Sequence, residues 1–278
     1  MKTLVTHISP DMDAATSVWL VQKYLPGWKD AKLEFVPTGS TLNGMQPDAD
    51  PDILHVDTGM GKFDHHQFKE KLSASKIIYK HLVEQNCLPK YDVEALGRLV
   101  EFVNDVDNFS EVYFPNATAD VYDFTIYQLI EGMKPTMPDN GDMIKFISSA
   151  LEGILQVLKN KIRAEKEIPN GMVIPISWGK ALVIESKNEE LMKLAQKMGF
   201  QLVARKDPAR GFIRIKCIPE DRYDLTPLAE EIKKRDKTGT WFLHASKHMF
   251  LNGSSKNPDF FKPSSLSLQD LIELIRKI

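Results

Sequence analysis

Cysteine is almost missing from this 278-residue chain, which has only Cys87 and Cys217. Two thiols without zinc-type spacing exclude a disulfide scaffold and a structural zinc site, and a reducing interior suits them. No sign of charge dominates either. Lys and Arg number 36 against 38 Asp and Glu, a formal net charge of −2, so no overall positive field draws in nucleic acid or anionic membrane. A polyanion would have to be held by a local patch or by metal ions. No apolar run approaches the roughly 20 residues of a membrane span. The opening "MKTLVTHISPDMDAATSVWL" is broken by Pro10, Asp11 and Asp13 before a signal-peptide core can form. A cytoplasmic protein with no membrane partner is expected. Internal repeats and low-complexity tracts are missing too.

What is present reads as one large or two ordinary globular domains. In the first half, "TLVTHI" (3–8), "KLEFVPT" (32–38) and "DILHVDT" (52–58) are strand candidates. Helical patterns run from Ala14 to Tyr24, from Ala74 to Gln85 and from Val93 to about Val103. This alternation predicts an α/β fold whose N-terminal sheet is mostly parallel and flanked by helices. A long connecting helix is expected from about Met143 to Ile168, after the break "MKPTMPDNGD". Beyond it, "MVIPISWGKALVIES" and "QLVARKDPARGFIRIKCIP" read as hairpins, with helices over 188–199, 225–236 and 267–277. The expected division is a first domain over 1–165, including the connecting helix, and a smaller α/β C-terminal domain over 172–278.

Acidic and imidazole residues gather around the ends of the first-half strands. His7 ends the first strand, with Asp11 and Asp13 just beyond, and Asp57 ends the third in "HVDTG". "FDHHQ" supplies Asp64, His65 and His66, and "FVNDVDNF" supplies Asp105 and Asp107. In open α/β sheets ligands bind beyond the carboxyl ends of the strands, where His7 and Asp57 both fall. Simpler roles exist for each residue alone. Asp13 fits a helix N-cap, Asp57 a turn, and Asp105 or Asp107 a solvated helix end. Together, however, several crowded carboxylates repel one another unless cations neutralise them.

The donor set lacks thiolate, and a mixture of carboxylate and imidazole suits Mn²⁺, with Mg²⁺, Co²⁺ or Fe²⁺ as alternatives. About six ligands suffice for two ions that share a carboxylate, and Asp57 on its strand end is the natural bridge. Two such ions activate water and clamp a phosphoryl oxygen, which is hydrolytic chemistry on a phosphate ester or anhydride.

The stretches "THISPDMDAATS", "HVDTG", "FDHHQ" and "NDVDNF" occur in the order and spacing of the four motifs of the DHH phosphoesterases, and the chain resembles that family over about residues 1–110. The family includes RecJ-like exonucleases, oligoribonucleases, cyclic dinucleotide phosphodiesterases and manganese pyrophosphatases. The resemblance implies His7, Asp11 and Asp57 on one ion, and Asp13, Asp57, His65 and Asp107 on a second. Asp107 is preferred to Asp105 because the small polar Asn108 follows it. Phe109 departs from the glycine common at the next position. The resemblance also implies that His66 donates a hydrogen bond or proton to a phosphoryl or leaving-group oxygen, with Asp64 orienting an imidazole.

In the second half, "WFLHASKHMFLNGSSKNPD" (241–259) resembles the substrate-binding motif of the DHH-associated C-terminal domain, without its leading glycines. Its simplest reading is a polar loop with an Asn-Gly turn. As a site it would offer His244, Asn252, Gly253, Ser254 and Lys256 to an anion. Trp241 or Phe242 fits either the core or a stacked base, and Arg205, Arg210 and Arg214 fit either solvated hairpins or a second phosphate. The expected activity is metal-dependent cleavage of phosphodiester bonds in short oligonucleotides or nucleotide-like molecules through a two-metal-activated water. The partner is then a phosphate-containing small molecule or short single-stranded nucleic acid. A pyrophosphatase or small phosphate-ester phosphatase is the enzymatic alternative. A non-catalytic nucleotide-binding regulatory protein is the other.

Overall fold

The computed structural model describes residues 1–253 and 260–278. The chain is α/β and divides into two compact units, Met1–Lys159 and Asn160–Ile278.

In the first unit β1 (Thr3–His7) lies between β2 (Lys32–Val36) and β3 (Ile53–His55), both parallel to it. Leu4, Val5 and Thr6 are fully buried, as expected of a central parallel strand covered on both faces. β3 is shorter than the 52–58 run predicts. Asp57 takes a left-handed φ of +54°, which ends regular pairing and leaves Val56 in an isolated bridge to Phe63.

α1 (Met12–Tyr24) starts two residues before its predicted Ala14. Asp11, extended after Pro10, caps it by accepting the Ala14 N–H at 2.9 Å, an interaction worth about 1 kcal/mol. Asp13 therefore does not cap this helix but sits inside its first turn. The helix is buried nearly all round, and its small Ala14, Ala15, Thr16 and Ser17 have no exposed surface. α2 (Ala74–Glu84) and α3 (Lys90–Asp107) pack against it.

α3 is longer than predicted at both ends. Pro89 sets its start. With neither Gly nor Pro in "EFVNDVDN", nothing stops it until Phe109 turns left-handed at φ +58°. Asp105 and Asp107 are accordingly helical. Short 3₁₀ turns, α4 (Ile126–Met133) and the start of α5 (Asn140–Glu167) complete the unit.

The second unit holds a mixed six-stranded sheet. Its strands are β4 (Met172–Ile176), β5 (Gly179–Glu185), β6 (Leu202–Lys206), β7 (Ile213–Cys217), β8 (Phe242–Leu243) and β9 (Met249–Asn252), in the order β4-β5-β6-β7-β9-β8. The two predicted hairpins are there, β4–β5 and β6–β7. The stretch read as a polar loop forms a third, because Phe250 and Leu251 pair with β7 and bury themselves. Along β5, Ala181 and Val183 enter one apolar cluster, and Leu182 and Ile184 another. That period of two explains why the run is apolar throughout. α6 (Glu190–Lys197), α7 (Thr226–Arg235) and α8 (Leu268–Ile275) supply the remaining helical faces.

Candidate metal centre

The side-by-side ends of β1 and β3 bring His7 and Asp57 together. The His7 Nδ1 lies 3.0 Å from the Ile8 carbonyl, which accepts its hydrogen and leaves Nε2 facing Asp57 Oδ2 at 3.3 Å. Asp11 Oδ2 is 3.9 Å from the same nitrogen. On the other side of Asp57, Oδ1 lies 3.2 Å from His65 Nε2, and His65 Nδ1 lies 3.7 Å from Asp107 Oδ2. One buried carboxylate thus stands between two imidazoles that come from separate parts of the chain.

Three groups of side-chain donors converge, with atoms inside each group within 4.8 Å of one another. They are His7, Asp11 and Asp57; Asp13, His65 and Asp107; and Asp57, Asp64, His65 and His66. Asp107 belongs to one of these groups, and Asp105 to none of them. Asp13 is held from afar, since its two oxygens accept the Ala74 and Ser75 N–H groups at 2.7 and 3.0 Å. Those amides open α2, so the carboxylate sits where the helix dipole favours negative charge.

Asp64 plays a different part. It has no exposed surface. It accepts the N–H groups of Met60, His65 and His66 at 2.6, 2.7 and 3.1 Å. The His66 Nδ1 is 2.6 Å from its Oδ1. The carboxylate therefore shapes the loop and fixes the His66 ring, whose side chain is 43% exposed.

The charges conflict. Burial raises Asp13 well above the ordinary carboxyl range, with Asp57, Asp107 and Asp11 adding repulsion. Burial likewise raises Asp11 and pushes Asp107 up to about 7, the attraction of His65 notwithstanding. For His7 and His65 burial acts downward, but bonds to Asp57 and the neighbouring carboxylates outweigh it and raise both to about 9. Burial would also raise Asp57, yet the two histidines hold it below the usual value.

This cluster fits a divalent cation. Asp57 Oδ1 and Asp107 Oδ2 are buried and share the one His65 ring, at 3.2 and 3.7 Å, without a well-formed hydrogen bond. Buried carboxylate oxygens that share one imidazole keep acceptor capacity that a cation would satisfy. The donors are carboxylate oxygen and imidazole nitrogen without thiolate, which suits Mn²⁺, Fe²⁺, Co²⁺ or, with fewer imidazoles, Mg²⁺.

The other predicted site residues lie in the second unit. His244 is exposed, its Nδ1 2.8 Å from Ser246 Oγ. Asn252 is buried, and its amide donates to the Thr240 and Lys262 carbonyls at 2.8 and 2.6 Å, which ties two loop segments together. Gly253 has φ +123°, and a Cβ there would meet the Phe212 ring at 2.5 Å. Ser254 and Lys256 lie outside the described residues. Trp241 stacks on Phe250 and donates to Asp236. Phe242 stays 48% exposed. Arg205 is buried and donates to the Ser186 carbonyl and Glu189.

Motif reading passed over a pocket of about 350 Å³ beside Asp11, Asp13 and Asp107, whose other walls include Phe109, Glu111 and Tyr127. Phe109 carried a signal, a bulky residue where the motif resemblance expects glycine. Glu111 and Tyr127 carried none, because only the fold brings them there.

No family model and no curated protein matches the chain. Among solved structures, it is similar to an uncharacterized protein from Helicobacter pylori, at 14% identity and TM-score 0.29, covering 100% of both chains. It is also similar to the pGpG-specific phosphodiesterase PggH from Vibrio cholerae, at 15% identity and TM-score 0.35, covering 90% of this chain and 91% of the other. A third is RecJ from Thermus thermophilus in complex with Mg²⁺, at 12% identity and TM-score 0.32, covering 99% of this chain and 49% of that one.

Proposed function

We propose that this chain is a DHH-type phosphoesterase that hydrolyses phosphodiester bonds of short oligonucleotides or nucleotide-like molecules. The observation that carries the reading is Asp57, buried between His7 and His65 with an oxygen turned to each ring nitrogen. His7, Asp11 and Asp57 would hold one divalent ion, and Asp13, Asp57, His65 and Asp107 a second, with Mn²⁺ the best match to the donors. When bound, such ions supply Lewis acidity, which acidifies water and offsets the charge that gathers on phosphoryl oxygens.

The chain's own groups do the rest. Burial of the carboxylates keeps the ligand set fixed, so little reorganisation is needed when charge develops. Asp64 holds His66 by Nδ1, which leaves Nε2 as the nitrogen that gives a proton to the leaving oxygen. The attacking water gives one proton to solvent as its oxygen bonds to phosphorus and the bond to the leaving oxygen breaks. The proton from His66 Nε2 completes the leaving hydroxyl, and solvent returns a proton to Nε2. Additional anion contacts are assigned to the second unit, from His244 as an exposed donor and from Gly253, Ser254 and Lys256. Asn252 would serve there by holding the loop.

The reading is tested with metal-stripped protein and added Mn²⁺. The panel is short RNA and DNA oligomers, cyclic dinucleotides, pyrophosphate and a chromogenic phosphodiester. Manganese-dependent release from the oligomers or dinucleotides is expected. Hydrolysis of pyrophosphate alone would select the phosphatase alternative, and metal binding without any turnover would select the regulatory one.

A further inference from the structure

The backbone at Phe109 is unfavourable for the residue it carries. At φ +58° a large side chain crowds its own backbone, and the ring is 75% exposed. Among the described residues, Phe102 packs on Phe114 and Tyr127, and Phe114 on Tyr122. Phe109 stays outside that aromatic cluster. Folding therefore gains little burial from the ring and bears the strain of its backbone. Strain of this kind persists where something other than stability keeps it.

The ring's surroundings indicate what that is. Phe109 follows Asp107 by two residues and lines the pocket of about 350 Å³ that also holds Asp11 and Asp13. Glu111 faces the same pocket, and its Oε2 is buried without a hydrogen-bond partner. Glu111 belongs to none of the converging metal-ligand groups. Away from those ligands the walls include Met12, Val103, Val106, Gln128 and Glu131, with no Lys, Arg or His among the lining residues. Such walls repel a second phosphate and accept a neutral planar group that offers an N–H.

We propose that this pocket is a nucleobase subsite, in which a base stacks on Phe109 and donates an edge N–H to Glu111. The inference rests on the phosphohydrolase reading above, since the base's own phosphate is then the group that reaches the metal ligands. Every base has a face that can stack, and carboxylates accept from exocyclic amino groups. Tyr127, held against Phe102, is a wall of the pocket rather than a stacking partner.

Calorimetric titration of Mn²⁺-loaded protein with AMP, GMP, CMP, UMP and ribose 5-phosphate tests this. At least one nucleotide should bind about tenfold or more tightly than ribose 5-phosphate, a preference that Phe109→Gly reduces to about twofold or less and Phe109→Trp retains. Glu111→Gln should weaken the preference while ribose 5-phosphate affinity stays unchanged. Phe109→Gly should melt no lower than wild type, because glycine relieves the backbone. Equal affinity of wild type for nucleotides and ribose 5-phosphate overturns the base subsite and leaves the phosphohydrolase reading intact. A preference that survives Phe109→Gly places the base elsewhere and also overturns it. Failure of all five ligands to bind overturns both.

Discussion

Replacing one of the proposed metal ligands should make the metal-free protein more stable. Asp107→Asn is the sharpest case. In the folded chain its carboxyl keeps its proton up to about pH 7, because burial and the charges of Asp57 and Asp11 outweigh His65. An unfolded aspartate releases its proton near about pH 4. Below that pH both states are protonated and the group contributes nothing. As pH rises from about 4 to 7 the unfolded state alone ionises, so stability falls, and above 7 the whole cost is present. That cost is on the order of 2–4 kcal/mol, with the crowded neighbours sharing the repulsion. Asparagine cannot ionise. Urea unfolding after chelation should therefore show Asp107→Asn equal to wild type at pH 4 and more stable at pH 8. Added Mn²⁺ should then stabilise wild type more than the variant, reversing the order. A variant less stable than wild type at pH 8 without metal would refute the argument from carboxylate repulsion.

Other perturbations separate the roles of neighbouring residues. His66→Ala should lower kcat by about 10²–10⁴-fold while metal content, measured by elemental analysis, stays at the wild-type level. Asp64→Asn should cost about 10–100-fold in activity by releasing the His66 ring and the 60–66 loop, visible as faster amide exchange in that loop. In the second unit, Asp236 accepts from Thr238 and Gly239 N–H, the Thr238, Ser264 and Ser265 hydroxyls and Trp241 Nε1. Burial would raise it, but those donors hold it far below the usual carboxyl range. Asp236→Ala should destabilise by about 3–5 kcal/mol in urea unfolding. In wild type this contribution is complete above the unfolded pKa near about 4 and is lost as pH falls toward the folded value.

The parts of the site legible in the sequence are those fixed by strand ends and short loops. His7 and Asp57 close apolar runs, so one rule about sheet edges puts them together. Asp64, His65 and His66 are adjacent in one loop and reach the site as a block. Less could be read where partners are distant or where a helix end decides the outcome. Asp13 looks like a cap from its own neighbours, and only folding reveals that it receives two amides some 60 residues further on, at the start of α2. α3 continues past Val103 because nothing breaks it before Phe109 turns left-handed, which sets Asp105 within the helix and Asp107 as its last residue. β9 was hidden because "MFLN" is too short for its alternation to stand out. Its strand character comes from pairing with β7.

The central claim is that Asp57 is shared between the two metal sites. Counting bound Mn²⁺ per chain after chelation, reloading and dialysis tests it directly, in wild type and in Asp57→Ala, with folding checked by circular dichroism. The account predicts about two ions in wild type and loss of both in a folded Asp57→Ala chain. A folded Asp57→Ala chain that binds as much Mn²⁺ as wild type would contradict it.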